Sequence, residues 1–256
     1  MQHNTNYSET ENLQKRHYEL IASRYAAHYG DHWSQEYRRR FINRPMFKNI
    51  DLSNAVVLDA MCGSGETTAF LVGQGAKVTG VDISEEEIKE YEKRYPGCTS
   101  KCASILSSQL ESDHYDCVVV VGGLHHLHPQ VNDAITEIHR VLKVGGYFCF
   151  FEPHQGSLPN ALRRLWYRMD SLFAENEEAI DVDSMKSDFS TRFRFITEAY
   201  KGNFAYLLVL NSLIFRMPLW MKGLYSRPLM ILESIVEKIQ GKRSSCFVVC
   251  QWQKVQ

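Results

Sequence analysis

Carboxylates, glycines and histidines collect at the ends of apolar runs in this chain. "VVLDAMCGSG" closes one run on Asp59 and follows it with Cys62, Gly63 and Gly65, and "VTGVDIS" closes another on Asp82, 19 residues beyond Gly63. "CVVVVGGLHHLHP" ends on Val121 and Gly122 with His125, His126 and His128 behind them, and "YFCFFEPH" ends on Glu152 and His154. Glycines without Cβ atoms let backbone approach a ligand closely. A carboxylate at Asp82 can accept hydrogen bonds from both hydroxyls of a ribose. Histidine, with an ordinary pKa near 6.5, suits general-base work at neutral pH.

The glycine bend fits two kinds of nucleoside cofactor, and Asp59 separates them. A dinucleotide site reads GxGxxG, but Thr68 stands at the third position. A pyrophosphate at a helix N-terminus is also repelled by a carboxylate beside it. Asp59 suits instead a ligand carrying an ammonium and a sulfonium, and S-adenosylmethionine is such a ligand. Among the rivals, a nicotinamide-dependent oxidoreductase on a similar sheet is disfavoured by Asp59 and Thr68. A non-catalytic subunit that binds S-adenosylmethionine would share the bend and transfer nothing.

The elements that place these residues follow from hydrophobic periodicity. Continuous apolar runs at 55–60, 76–82, 116–123 and 146–153, with a weaker one at 98–104, read as strands. Helical patterns of 10–15 residues between runs indicate a parallel sheet buried on both faces. Ser84 and the acids after it mark a helix start over 84–95. The remaining strands are expected at "FAYLLVL" (204–210) and "SCFVVCQWQKV" (245–255), with a helix through "SRPLMILESIVEKIQ" between them. The expected fold is α/β, a Rossmann-like, doubly wound, seven-stranded sheet, mostly parallel with an antiparallel last strand. Residues 1–50 form helices over the cofactor, 51–153 the binding core, and 154–256 a helical lid insertion with the last two strands.

These motifs together resemble the class I S-adenosylmethionine-dependent methyltransferases, of the small-molecule "type 11" kind. "VLDAMCGSG" resembles the family's first motif, "GVDIS" the ribose turn, "YDCVVVVGGLHHL" the fourth-strand motif and "EIHRVLKVGGYFCFFEP" the fifth. By that resemblance Asp59, Gly63 and Gly65 cradle the methionine end, Asp82 takes the ribose, and Ile83 packs on adenine. Val121 and Gly122 would offer carbonyls to the ammonium. Where the family often has an aspartate for the adenine amino group, "CASIL" puts Ala103 or Ser104. Tyr18 and Tyr25, on a helix expected over 13–29, could touch the methionine carboxylate or simply pack.

A sulfonium methyl is already activated, so the protein must mainly align donor and acceptor. His126 is the first candidate for general base and His125 the second. Glu152 and His154 could act as base or bind the acceptor. The family's DNA- and protein-amide-methylating members carry an NPPY-type turn after the fourth strand, which is absent here. Net charge is −1, split as −5 before residue 154 and +4 from there on. Neither observation supports a nucleic-acid partner.

"SLPNALRRLWYRMDSLF" places Leu158, Leu162, Leu165, Trp166, Met169, Leu172 and Phe173 on one helical stripe. It reads as a lid over a partly apolar small-molecule acceptor rather than a membrane-facing helix, so strong binding to anionic vesicles is not expected. The expected chemistry is methylation of oxygen, or else nitrogen. "RRR" at 38–40 reads as a solvated face. The longest apolar stretch, 204–221, is interrupted by Asn211, Ser212, Arg216 and Pro218, too polar to cross a bilayer. Seven cysteines with no CxxC pair indicate reduced thiols, no metal site, and a cytoplasmic protein without a secretory leader. Oligomeric state is not written in the sequence.

Overall fold

The computed structural model describes residues 28–167 and 178–256. The expected 13–29 helix, with Tyr18 and Tyr25, and the distal half of the 158–173 stripe lie outside the described residues.

Seven strands form one sheet in the order β3-β2-β1-β4-β5-β7-β6. β1 (Val56–Ala60), β2 (Lys77–Asp82), β3 (Thr99–Cys102), β4 (Tyr115–Val121) and β5 (Leu142–Pro153) are mutually parallel. β7 (Phe247–Lys254) runs antiparallel between β5 and β6 (Phe193–Lys201). β1 and β4 read as continuous apolar runs because helices cover both faces of the sheet. One apolar layer gathers Leu58, Val118, Val120, Ile135 and Trp252. The other gathers Val57, Val119, Cys149, Phe41 and Met230.

The helices are α1 (His32–Tyr37), continued by a π-turn at Arg38–Asn43 and a further turn at Arg44–Met46, then α2 (Thr68–Gly73) and α3 (Glu85–Arg94). α4 (Val131–Val141), α5 (Leu158–Tyr167), α6 (Val182–Asp188) and α7 (Lys222–Val236) follow. α3 starts where Ser84 Oγ accepts the Glu87 N–H at 3.3 Å. Glu85, Glu86 and Glu87 in its first turn and Lys93 and Arg94 in its last complement the helix dipole.

The sixth strand is not where an apolar run suggested it. "FAYLLVL" is helical from Tyr206 to Leu210, and Glu233 caps it by accepting the Ala205 N–H at 2.7 Å. The true β6, "FRFITEAYK", is an edge strand with one ladder, so its side chains are mostly half-buried and its sequence alternates. A short apolar run does not by itself distinguish a core strand from a buried helix.

Sheet order reverses direction between β1 and β4. Chain leaving β1 turns to β2 on one side, and β4 lies on the other, which makes the carboxyl ends of β1 and β4 a switch-point crevice. The register opposes Asp59 to Gly80 on β2 and to Val119 on β4. The glycine bend after β1 and the histidine turn after β4 therefore rise from neighbouring strands.

Candidate active site

Asp59 is 2% exposed, and its Oδ2 accepts the Thr68 hydroxyl at 2.7 Å. Burial pushes its carboxyl up to about 7, the Thr68 bond opposes this, Glu66 adds to it, and Arg38 opposes it again. Thr68, read from sequence only as a missing glycine, is thus the group that orients the first carboxylate. Tyr91 Oη lies 3.3 Å from the same hydroxyl.

Asp82 accepts the Gly63 N–H on one oxygen and the Ser84 N–H on the other, both at 2.9 Å. One bond per oxygen leaves a carboxylate with lone pairs for two further donors. Burial raises this carboxyl too, against the backbone hydrogen bonds. Glu66 and Glu87 add two more carboxylates to the bend: a Cβ on Gly63 would stand 3.6 Å from Glu66 Oε2 and 3.7 Å from Glu87 Oε2. Glu66 sits directly after the glycines in "GSGETT", a signal open to a reading that counted acids around the bend.

The two glycines do different work. Gly63, at φ +52°, faces only carboxylate oxygens at ordinary contact distance. Gly65, at φ +93°, has its missing Cβ position occupied by Tyr95, whose Cε2 would be 2.3 Å away. A Cβ at Gly65 is therefore excluded by a tyrosine ring as well as by the positive φ. Gly65→Ala is expected to lower stability by about 1–3 kcal/mol from strain and overpacking, read as a lower Tm in thermal unfolding.

Cys62 is buried, with its thiol held well above the usual range by burial first and by Asp82, Asp59 and Glu66 next. It packs as a small hydrophobe between the bend and α3, beside Ile88 and Tyr91. Ile83 is half-buried at the β2 end. Ala103 donates its N–H to the Asp82 carbonyl at 2.9 Å, and Ser104 Oγ accepts the Leu106 N–H at 3.0 Å. Both follow the carboxyl end of β3, next to β2, where the adenine end is expected.

After β4, Gly122 turns at φ +70° and donates its N–H to the Phe151 carbonyl at 2.8 Å. Val121, the last residue of β4, is half-buried. The turn Leu124–His126 then starts on a buried carboxylate. Glu152, fully buried, accepts the Gly123 and Leu124 N–H groups at 2.8 and 2.7 Å on Oε1. Its Oε2 takes the His125 N–H at 3.4 Å and meets His125 Nδ1 at 2.7 Å. An ionised carboxylate holding these three N–H groups favours the tautomer with the hydrogen on Nδ1, which leaves Nε2 as the basic nitrogen. His126, 7% exposed, has its ring centroid 3.8 Å from that of His125.

His154 does not face the crevice. It is 1% exposed, with Nδ1 at 2.7 Å from the Gln155 carbonyl and Nε2 at 2.7 Å from Ser245 Oγ. Both ring nitrogens are engaged in joining β5 to the turn before β7, so it is a structural residue. Glu152 is engaged by the loop N–H groups and by the His125 imidazole. Arg38 corrects another expectation. Rather than lying on a solvated face it is 7% exposed, its guanidinium 5.9 Å from the Tyr29 ring centroid. Among the described residues its Nε has no hydrogen-bond partner. A buried guanidinium of this kind suits an anionic ligand group. A recess of about 380 Å³ at the amino ends of β4 and β5, bordered by Leu52, Asp116 and Gly146, lies at the opposite end of the sheet from these residues.

Residues 57–146 match a family model described as a methyltransferase domain. A malonyl-[acyl-carrier protein] O-methyltransferase from Enterobacter lignolyticus is 30% identical over 173 residues, 65% of this chain and 67% of that protein. The chain belongs to the class I S-adenosylmethionine-dependent methyltransferases. Another member, an uncharacterized methyltransferase of Synechocystis, is 32% identical over 120 residues, 46% of this chain. The match spans only 56% of that relative's length. A solved S-adenosylmethionine-dependent methyltransferase from Archaeoglobus fulgidus superposes with a TM-score of 0.61 at 17% identity, covering 93% of this chain and 99% of that one. Membership removes the nicotinamide-dependent alternative, and the methyltransferase fold matches the strand order seen here.

The residues present fit S-adenosylmethionine, the methyltransferase cofactor. Four carboxylates around one bend suit a cationic ligand, and the orphaned Arg38 nitrogen suits the carboxylate at the ligand's amino-acid end. Asp82 retains acceptor capacity for ribose hydroxyls. The Asp59 carboxyl gives this methyltransferase a pH signature. Raised from 3.8 to about 7, it binds its proton more tightly folded than unfolded. Its contribution to stability is thus present below pH 4 and lost as pH rises through 7. A cationic cofactor favours the ionised form, so binding should release a proton. S-adenosylmethionine affinity should rise by up to about tenfold per pH unit below 7 and level off above it. Calorimetry in buffers of different ionisation enthalpy measures that proton, and Asp59→Asn should flatten the slope between pH 6 and 7.

Proposed function

We propose that this methyltransferase acts on oxygen of a small, partly apolar acceptor, with His125 as the general base and Glu152 as the residue that positions it. The supporting observation is the 2.7 Å contact between His125 Nδ1 and Glu152 Oε2. It sets Nε2 as the proton acceptor and offsets the positive charge that proton uptake creates. A Cβ on Gly122 would lie 4.0 Å from His125 Cε1, so the imidazole edge borders the β4 turn where the ammonium end is expected. His126, whose ring centroid lies 3.8 Å from that of His125, is the second candidate.

S-adenosylmethionine supplies an electrophilic methyl group and leaves as S-adenosylhomocysteine. The chain's own contribution is alignment and a proton sink: as the acceptor oxygen bonds to the methyl carbon, its proton passes to Nε2. An oxygen acceptor agrees with the Enterobacter relative, an O-methyltransferase. An apolar acceptor agrees with exposed Leu158 and Leu162 on α5 in the insertion after β5. A small-molecule partner and no nucleic acid remain the reading that the near-neutral charge supports. Among the described residues no helix is long and apolar enough to cross a membrane.

The test is methyl transfer from labelled S-adenosylmethionine to paired acceptors that share one apolar body and differ in bearing hydroxyl, carboxyl or amine. Turnover confined to the oxygen acceptors supports the proposal. Turnover confined to the amines, or a pH profile unchanged in His125→Ala, would overturn it.

A further inference from the structure

The segment from Leu219 to Arg243 carries an apolar face with no partner among the described residues. α7 buries Lys222, Ser226, Met230 and Glu233 along one side. Lys222 is held there by Asp31, Ser34 and the His28 carbonyl, and Glu233 by Tyr37 and the 203–206 backbone. The opposite side points outward: Trp220 is 76% exposed, Leu224 72%, Ile231 60%, Ile235 57% and Ile239 86%. Their spacing follows the helical period, so they form one stripe rather than scattered positions. Contiguous exposed stripes of this kind mark interaction surfaces.

Charge selects the partner. The exposed ionic residues of this segment are Arg227, Lys238 and Arg243, with Lys242 half-buried. Both acids of the segment are withdrawn: Glu233 is fully buried, and Glu237 is paired with Lys201 at 2.8 Å. The segment's own outward residues are therefore apolar or cationic, with Lys242 paired to Asp183 at 2.6 Å and Arg227, Lys238 and Arg243 left as its exposed cations. A second copy packed on it across a two-fold axis would set these cations against themselves. An anionic bilayer meets both features, taking Trp220 and the isoleucines into its interface and the arginines and lysine onto its headgroups. Fifteen residues of helix give a length of about 22 Å, enough to lie along an interface.

We infer that this protein docks reversibly on anionic membrane surfaces through the Trp220–Arg243 face. The sequence led to an expectation of weak or no vesicle binding by the whole protein, argued from the 158–173 stripe, and this inference reverses it. The face that carries the inference is a different helix.

The experiment is co-sedimentation of the full chain with phosphatidylcholine vesicles and with vesicles containing one-quarter phosphatidylglycerol, at low and high salt. Binding to the anionic vesicles should exceed binding to the neutral ones at least about tenfold and fall as salt rises. Lys238→Gln and Arg243→Gln should each weaken it about fivefold. Ile235→Ser with Ile239→Ser should weaken it further while S-adenosylmethionine binding stays intact. These positions are exposed, so the variants fold. Equal binding to both vesicle types, indifference to these substitutions, or a stable dimer in light scattering that the Ile235→Ser/Ile239→Ser variant dissolves would overturn the inference. Vesicle binding is read without methyl transfer, so it stands or falls apart from the acceptor assignment.

Discussion

His125→Ala is expected to lower kcat by about 10²–10⁴-fold while the Kd for S-adenosylmethionine changes little. The imidazole borders the β4 turn, and its Nδ1 lies 2.7 Å from the buried Glu152 carboxylate. Glu152→Gln is the sharper variant. A glutamine carbonyl can still accept the Gly123 and Leu124 N–H groups, so the loop keeps its anchor. The amide NH2 would then face Nδ1 and favour the opposite tautomer, placing the hydrogen on Nε2. The expected result is a kcat loss of about 10²-fold or more with a nearly unchanged Tm. Single-turnover transfer of a labelled methyl group across pH checks both variants. The rate of the unaltered protein should climb as the imidazole loses its proton and then level, and that climb should vanish in His125→Ala. His126→Ala should retain it. Should His126→Ala abolish the climb and His125→Ala keep it, the roles are reversed.

What could be read from the sequence was whatever a single strand or turn encodes locally. The continuous apolar runs of β1 and β4, bounded by Asp59 and Val121, declare a doubly covered parallel sheet because burial on both faces leaves no alternation. Ser84 with its trailing acids declares the start of α3 in the same way. Long-range choices were not legible. Tyr206–Leu210 is as apolar as a core strand, and only the distant Glu233 carboxylate at its start makes helix the satisfied state of that backbone. Gly65 has the spacing of a ligand-binding glycine, yet the group that excludes a Cβ is Tyr95, 30 residues on. His154 has the chemistry of a base, and its partner Ser245 stands 91 residues away. In the site itself, acids and histidines were visible as types, while their pairing was not. Glu152 with His125 joins the ends of β5 and β4, which are neighbours only once the sheet exists.

Arg38→Met should move two measurements in opposite directions. In the protein alone, a buried guanidinium whose Nε lacks a hydrogen-bond partner among the described residues pays desolvation without full return. Its replacement by an apolar side chain of similar length should leave Tm unchanged or raise it. Affinity for S-adenosylmethionine should nevertheless fall by about 10–100-fold, the worth of a charge-assisted bond to a carboxylate. Arg38→Lys should recover part of that loss, since an ammonium keeps the charge and gives up the planar fork. Decarboxylated S-adenosylmethionine supplies the control. The unaltered protein should bind it about 10–100-fold more weakly than the parent compound, and Arg38→Met should bind the two alike. The Asp59 carboxyl reports on the same contact, because Arg38 is one of the groups holding it down. Without that cation the carboxyl moves higher still, and the pH at which cofactor affinity levels off moves up with it. A lower Tm together with full discrimination between the two compounds would make Arg38 a packing residue. Loss of discrimination with Tm preserved would place the cofactor's carboxylate at the Arg38–Asn43 turn, beside a charge that acts on Asp59.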